Sequence, residues 1–123
     1  MTKKAYVLYI EDERPTIRLV CEMLKIAGYE AAGAASGEEG LTMMRQRKPD
    51  LLLLDLMMPG TSGFDVYEAM KQDEKLANVP VIVISAKVPE RSRIIVEGLP
   101  PVDDYITKPF DMKRLTRAVK RFV

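Results

Sequence analysis

Apolar and polar positions fall in blocks along this chain, and the blocks differ in period. Ala5 to Ile10 is a short apolar run rich in strand formers that halts at Glu11-Asp12-Glu13. Pro15 suits the first turn of a helix. Ile17, Val20, Cys21 and Leu24 then recur at helical spacing until Gly28 closes the segment. Ala31 to Ala35 predicts a weak second strand of small residues. Ser36-Gly37-Glu38-Glu39 reads as a capping box opening a helix to about Arg47. Leu51-Leu52-Leu53-Leu54 is continuously apolar, which suits a strand covered on both faces of a parallel sheet. Asp55 ends it, and Met58 to Gly63 is a turn-rich loop. Ser62 and Asp65 repeat the capping pattern ahead of Phe64, Tyr67 and Met70. Val81-Ile82-Val83-Ile84 is another apolar strand, ending at Ser85. Asp104-Tyr105-Ile106-Thr107 is a short last strand, followed by Lys108-Pro109. Leu115, Ala118, Val119 and Phe122 mark a final helix.

Strand and helix thus alternate about five times, and the central strands are apolar on both faces. This predicts an α/β three-layer sandwich with a parallel sheet and about five helices. Lys87 to Gly98 is the exception. Its apolar stripe is broken, and Ile94-Ile95-Val96 is a β-branched run. Pro89 opens a helix there, but Gly98 and Pro100-Pro101 stop it early, so this stretch is expected to be the least regular in the fold. No linker, repeat or second domain is evident, and residues 1–123 read as one domain.

Composition narrows the chemistry. The 123 residues contain no histidine, which excludes a phosphohistidine carrier, a Ser-His-Asp triad and most zinc sites. Nineteen Lys and Arg against eighteen Asp and Glu give a net charge of +1, so no nucleic-acid or anionic-membrane partner is expected. One cysteine, no apolar run long enough to span a membrane and no signal peptide fit a cytoplasmic protein.

Polar residues recur at the carboxyl ends of the predicted strands: Glu11 and Asp12 after the first, Asp55 after the third, Ser85 after the fourth, Lys108 after the fifth. Ligands of open α/β sheets bind outside those ends. Three carboxylates without thiolate or imidazole make a hard-oxygen site suited to Mg²⁺. An aspartate can attack phosphorus, a metal and an ammonium can offset the charge that develops, and a serine hydroxyl can donate to a phosphoryl oxygen. Each residue has a plainer reading on its own: a solvated acidic turn, a loop cap, a strand end, a surface lysine. The basic end from Lys113 to Arg121 reads as the solvated face of the last helix.

Taken together, Glu11-Asp12, Leu53-Leu54-Asp55-Leu56-Met57-Met58-Pro59-Gly60, Ser85-Ala86 and Tyr105-Ile106-Thr107-Lys108-Pro109-Phe110 resemble the receiver domain of two-component response regulators, as in stand-alone chemotaxis receivers. The resemblance implies a flavodoxin-like fold with strand order 2-1-3-4-5. It implies Asp55 as phosphoacceptor, Asp12 as direct Mg²⁺ ligand, Glu11 acting on the metal through water, and the Met57 carbonyl completing the ligands. Ser85 resembles the switch hydroxyl, Tyr105 the aromatic that moves with it, Lys108 the phosphoryl partner, and Lys108-Pro109 a cis-proline junction. The donor would be a sensor histidine kinase or a histidine phosphotransfer protein, and the output would be contact with an unknown downstream protein. The chain departs from the family at Gly98 to Asp104, which is longer than the usual turn before the fifth strand, so the output face is expected to differ. The chain is expected to be either a stand-alone receiver or part of a larger protein. A phosphorylation-independent interaction module is the alternative. A Mg²⁺-dependent phosphatase with an aspartyl nucleophile is disfavoured because Met57, two residues after Asp55, cannot protonate a leaving group, and a P-loop enzyme is excluded because no Gly-x-x-x-x-Gly-Lys segment is present.

Overall fold

The computed structural model describes residues 3–86 and 94–123. Five strands, β1 (Tyr6–Ile10), β2 (Glu30–Ala34), β3 (Leu51–Leu54), β4 (Val81–Ser85) and β5 (Asp104–Thr107), form one parallel sheet in the order β2-β1-β3-β4-β5. Among the described residues there are four helices, α1 (Arg14–Ile26), α2 (Gly37–Gln46), α3 (Gly63–Gln72) and α4 (Met112–Lys120).

Strand parity sorts the core into two halves. Leu8, Ile10, Leu52, Leu54, Val81 and Val83 pack with Met44 of α2 and Val66 and Met70 of α3. Val7, Tyr9, Leu51, Leu53, Ile82 and Ile84 pack with Val20 and Leu24 of α1 and Leu115 and Val119 of α4. Successive strand residues face opposite ways, so each apolar run feeds both helical layers, which is why β1, β3 and β4 are wholly buried.

The helix starts follow the capping signals. Ser36 Oγ accepts the Glu39 N–H at 3.1 Å, while the Glu39 carboxylate takes Ala35 N–H at 3.2 Å, one residue earlier than a symmetrical box. Ser62 and Asp65 close the full reciprocal box at the start of α3. Gly28 adopts φ +100° just after α1, where glycine has no steric cost.

One boundary changes in detail. β2 runs from Glu30 rather than from Ala31, because its pairing with β1 begins at Tyr6↔Glu30. At Gly33 the small residue has a packing reason: a Cβ there would collide with the Ile17 side chain of α1. Four of the about five expected helices lie among the described residues. The helix expected from Pro89 lies outside them as far as residue 93, and residues 94–103 form bends and a turn, with Leu99 N–H on the Val96 carbonyl at 3.1 Å. This stretch is irregular but anchored. The Tyr67 hydroxyl of α3 donates to the Pro100 carbonyl at 2.7 Å, and the Asp103 carboxylate accepts the Val81 N–H at 2.8 Å. No helix among the described residues is long and apolar enough to cross a membrane.

Candidate acidic site

The register of the parallel ladders determines what meets at the carboxyl edge of the sheet. Ile10 lies opposite both Ala34 and Leu54. The backbone ladder runs one residue past each strand: Glu11 N–H to the Ala34 carbonyl at 3.0 Å, Asp55 N–H to the Ile10 carbonyl at 3.1 Å, and Lys108 N–H to the Ser85 carbonyl at 2.9 Å. Glu11, Asp55, Ser85 and Lys108 are therefore held on hydrogen-bonded backbone. Glu11 is fully buried, Asp55 is 4% exposed, Ser85 is buried and Asp12 is open to solvent.

Glu11, Asp12 and Asp55 each offer a carboxylate oxygen, and these oxygens lie within 4.8 Å of one another. Like charges held this close repel, and burial weakens the screening that would relieve them. Lys108 supplies a counter-charge: its Nζ donates to Glu11 Oε2 at 2.8 Å and to Asp55 Oδ2 at 3.4 Å. Burial opposes the ammonium and is the largest single influence on it, but Glu11 and Asp55 together outweigh burial and hold Lys108 above the usual lysine value. The Lys108–Pro109 peptide bond is cis.

The loop after β3 turns back over Asp55. Met57 N–H donates to Asp55 Oδ1 at 3.3 Å, while its side chain is 65% exposed. Gly63 N–H closes the loop on the Leu56 carbonyl at 3.1 Å.

The structure thus brings together Glu11, Asp12, Asp55 and Lys108, with Ser85 at the end of the adjacent strand. Tyr105 lies apart from the carboxylates. It pairs with Val83 in register and packs against the core half that contains α2 and α3. The Tyr105 hydroxyl is shut off from solvent and has no hydrogen-bond partner among the described residues. An unsatisfied buried hydroxyl costs on the order of 1 kcal/mol or more. Tyr105→Phe should therefore raise the melting temperature of the unphosphorylated protein by about 4 °C. A lowered melting temperature would show that the hydroxyl is satisfied in solution.

Tyr9 was missed as a site residue. Its ring is buried in the core half under α1 and α4, and its hydroxyl donates to Glu11 Oε2 at 3.0 Å. Burial, and then the Glu11 carboxylate beside it, push the hydroxyl far above the usual tyrosine range, so it is protonated and acts as the donor. The available signal was parity: Tyr9 and Glu11 are two apart on β1 and share a face.

An oxygen-only set of three carboxylates with two members buried is the donor chemistry of a hard divalent cation. It fits Mg²⁺, which takes one or two carboxylates and keeps waters.

The similarities to known proteins agree with this geometry. The phosphate regulon transcriptional regulatory protein PhoB of Pseudomonas aeruginosa is 39% identical over 115 residues, covering 93% of this chain but 49% of PhoB, so the chain spans about half the length of that relative. The polar-differentiation response regulator DivK of Brucella ovis is 33% identical over 125 residues, covering 100% of this chain and 98% of DivK. The response regulator TrrA of Thermotoga maritima, solved in complex with Mg²⁺ and BeF, superposes with a TM-score of 0.81 at 30% identity, covering 97% of this chain and 99% of TrrA. The family model for the response regulator receiver domain matches residues 7–120, and the chain belongs to that family.

Proposed function

We propose that this chain is a phosphorylation-driven signalling switch in which Asp55 accepts a phosphoryl group from a phosphohistidine donor, a sensor histidine kinase or a histidine phosphotransfer protein. The observation that carries the reading is the cluster of Glu11, Asp12 and Asp55 at the carboxyl edge of the sheet with Lys108 bridging two of its members. Asp12, Asp55 and the Met57 carbonyl would hold Mg²⁺ directly, and Glu11 would act through water. The bound cation supplies charge neutralisation for the transferred oxygens.

The remaining chemistry belongs to the chain. An Asp55 carboxylate oxygen attacks phosphorus, and the O–P bond forms as the P–N bond to the donor imidazole breaks. The imidazole nitrogen keeps that electron pair and takes a proton. Lys108 then has a new anionic partner, and the buried Ser85 hydroxyl donates to another phosphoryl oxygen. Both contacts exist only once phosphate has arrived, so both bias the chain between two packed states. Tyr105, whose buried hydroxyl has no hydrogen-bond partner among the described residues, is the proposed follower of Ser85. The phosphorylated chain acts by protein contact, in the cytoplasm, without a nucleic-acid surface of its own.

Intact mass after incubation with acetyl phosphate and Mg²⁺ should show one added phosphoryl group, and EDTA should abolish it. Asp55→Asn should take up none. Equal labelling of that variant would refute the assignment. An unlabelled wild-type chain that still binds a partner would favour a phosphorylation-independent interaction module. That alternative is less favoured because crowding three carboxylates costs a fold that never neutralises them.

A further inference from the structure

We propose that Tyr9 is a positioning residue for the acidic site, its buried hydroxyl holding the Glu11 carboxylate in the orientation that serves the cation. The inference rests on the Mg²⁺ reading above and adds a residue to it.

Three observations lead to it. Glu11 Oε2 accepts two donors, the Tyr9 hydroxyl at 3.0 Å and Lys108 Nζ at 2.8 Å, and is fully engaged. Glu11 Oε1 has, among the described residues, a single long contact, the Glu13 N–H at 3.4 Å, so it is the oxygen with capacity left for a metal-bound water. The Tyr9 ring is itself fully buried, packed with Val20, Leu24, Leu53, Leu115 and Val119, and has no freedom to lend its hydroxyl elsewhere.

The length of the side chain at position 11 follows from this. Aspartate would draw the carboxylate back by one methylene, away from the Tyr9 hydroxyl and toward the sheet. Glutamate reaches the hydroxyl, and a rigid donor then removes the rotamer freedom that the extra methylene introduces. Partners that orient a metal-facing carboxylate characteristically change metal affinity when removed, although they never touch the metal. The plainer reading is that Tyr9 has merely satisfied a buried hydroxyl on the nearest acceptor. The two readings differ in what happens to the cation.

The test is a cycle of Tyr9→Phe and Glu11→Asp, with Mg²⁺ titrated into metal-free protein and followed by amide NMR shifts. Binding by the wild-type chain tests the underlying Mg²⁺ reading; the variants test Tyr9. Tyr9→Phe in the wild-type background should weaken Mg²⁺ about tenfold. In the Glu11→Asp background, where the hydroxyl has no carboxylate to hold, the same change should alter Mg²⁺ affinity by less than about twofold. The melting temperature should also reverse sign: Tyr9→Phe lowers it beside Glu11 and leaves it level or raises it beside Asp at 11, because there it removes an unsatisfied hydroxyl. Unchanged Mg²⁺ affinity in Tyr9→Phe, or an equal loss in both backgrounds, would overturn the proposal. If Tyr9→Phe does not fold, Tyr9→Leu takes its place in both backgrounds, and the same comparison of Mg²⁺ affinities beside Glu11 and beside Asp at 11 supports or overturns the proposal.

Discussion

Replacing Lys108 with methionine should destabilise the metal-free protein by about 3 kcal/mol, a fall of roughly 10 °C in melting temperature. Methionine keeps most of the aliphatic stem and deletes only the charge. That leaves Glu11, whose side chain is 1% exposed, and Asp55, at 6%, facing each other and Asp12 with no cation among the described residues. Removing one partner of a buried pair is costly because the remaining charge stays desolvated. The figure sits at the low end of that range because the Lys108 side chain is 24% exposed and part of the field reaches water. Lys113, on the exposed face of α4, is the control, and Lys113→Met should shift stability by no more than about 0.5 kcal/mol. Mg²⁺ should restore most of the loss in Lys108→Met, since a cation that binds only the folded state stabilises it by mass action. The pH dependence has a definite sign. Lys108 is held above the usual lysine value of 10.5, so its contribution is complete from neutrality up to that value and is lost as pH rises through the higher folded value. Metal-free Lys108→Met melting within about 2 °C of wild type would show that the lysine does not neutralise the cluster.

This expectation differs from what the sequence offered for Lys108, and the reason is physical. A lysine after the last strand, beside three carboxylates on the same sheet edge, was readable as a phosphoryl partner. Its division between Glu11 and Asp55 depends on side-chain lengths and on the height at which each strand ends. The fold itself was legible where burial imposes a pattern. Leu51 to Leu54 and Val81 to Ile84 are apolar on both faces because helices cover both, and the Ser62–Asp65 cap is a local hydrogen-bond requirement. β2 was offset by one residue because Glu30 and four small residues carry no alternation, and pairing with β1 decides its start. Tyr9 was hidden because a strand tyrosine reads as core, which its ring is; only the hydroxyl belongs to the site. Between β4 and β5 the sequence signals weaken, and the described part, residues 94–103, is anchored by Tyr67 and Asp103.

Gly63 was readable only as a turn residue, and the structure gives it a larger role. Gly63→Ala should cost about 3 kcal/mol, the upper part of the range for forcing an extra carbon into packed surroundings. A Cβ there would meet the Asp55 carbonyl oxygen, the Asp55 carbonyl carbon and the Leu56 Cα. All three are backbone, so no side chain can swing aside. At the first residue of α3 the conformation itself is ordinary, since positive φ among the glycines is confined to Gly28, Gly60 and Gly98. Alanine would even gain up to about 1 kcal/mol of helix propensity, and the clash must exceed that gain. Relief requires lifting α3 from the loop that it closes through Gly63 N–H and the Leu56 carbonyl. That movement would carry Asp55 with it, so the loss of stability should come with slower labelling by acetyl phosphate. Gly60 is the comparison. It has φ +73° and nothing within 4 Å of a Cβ, so Gly60→Ala should cost only the left-handed conformation, about 1–2 kcal/mol. Urea unfolding of the two variants should rank Gly63→Ala as clearly the less stable, by a shifted midpoint at unchanged slope. A Gly63→Ala chain as stable as Gly60→Ala would mean that α3 can move off Asp55 at little cost, and that the close approach does not hold the acidic site in place.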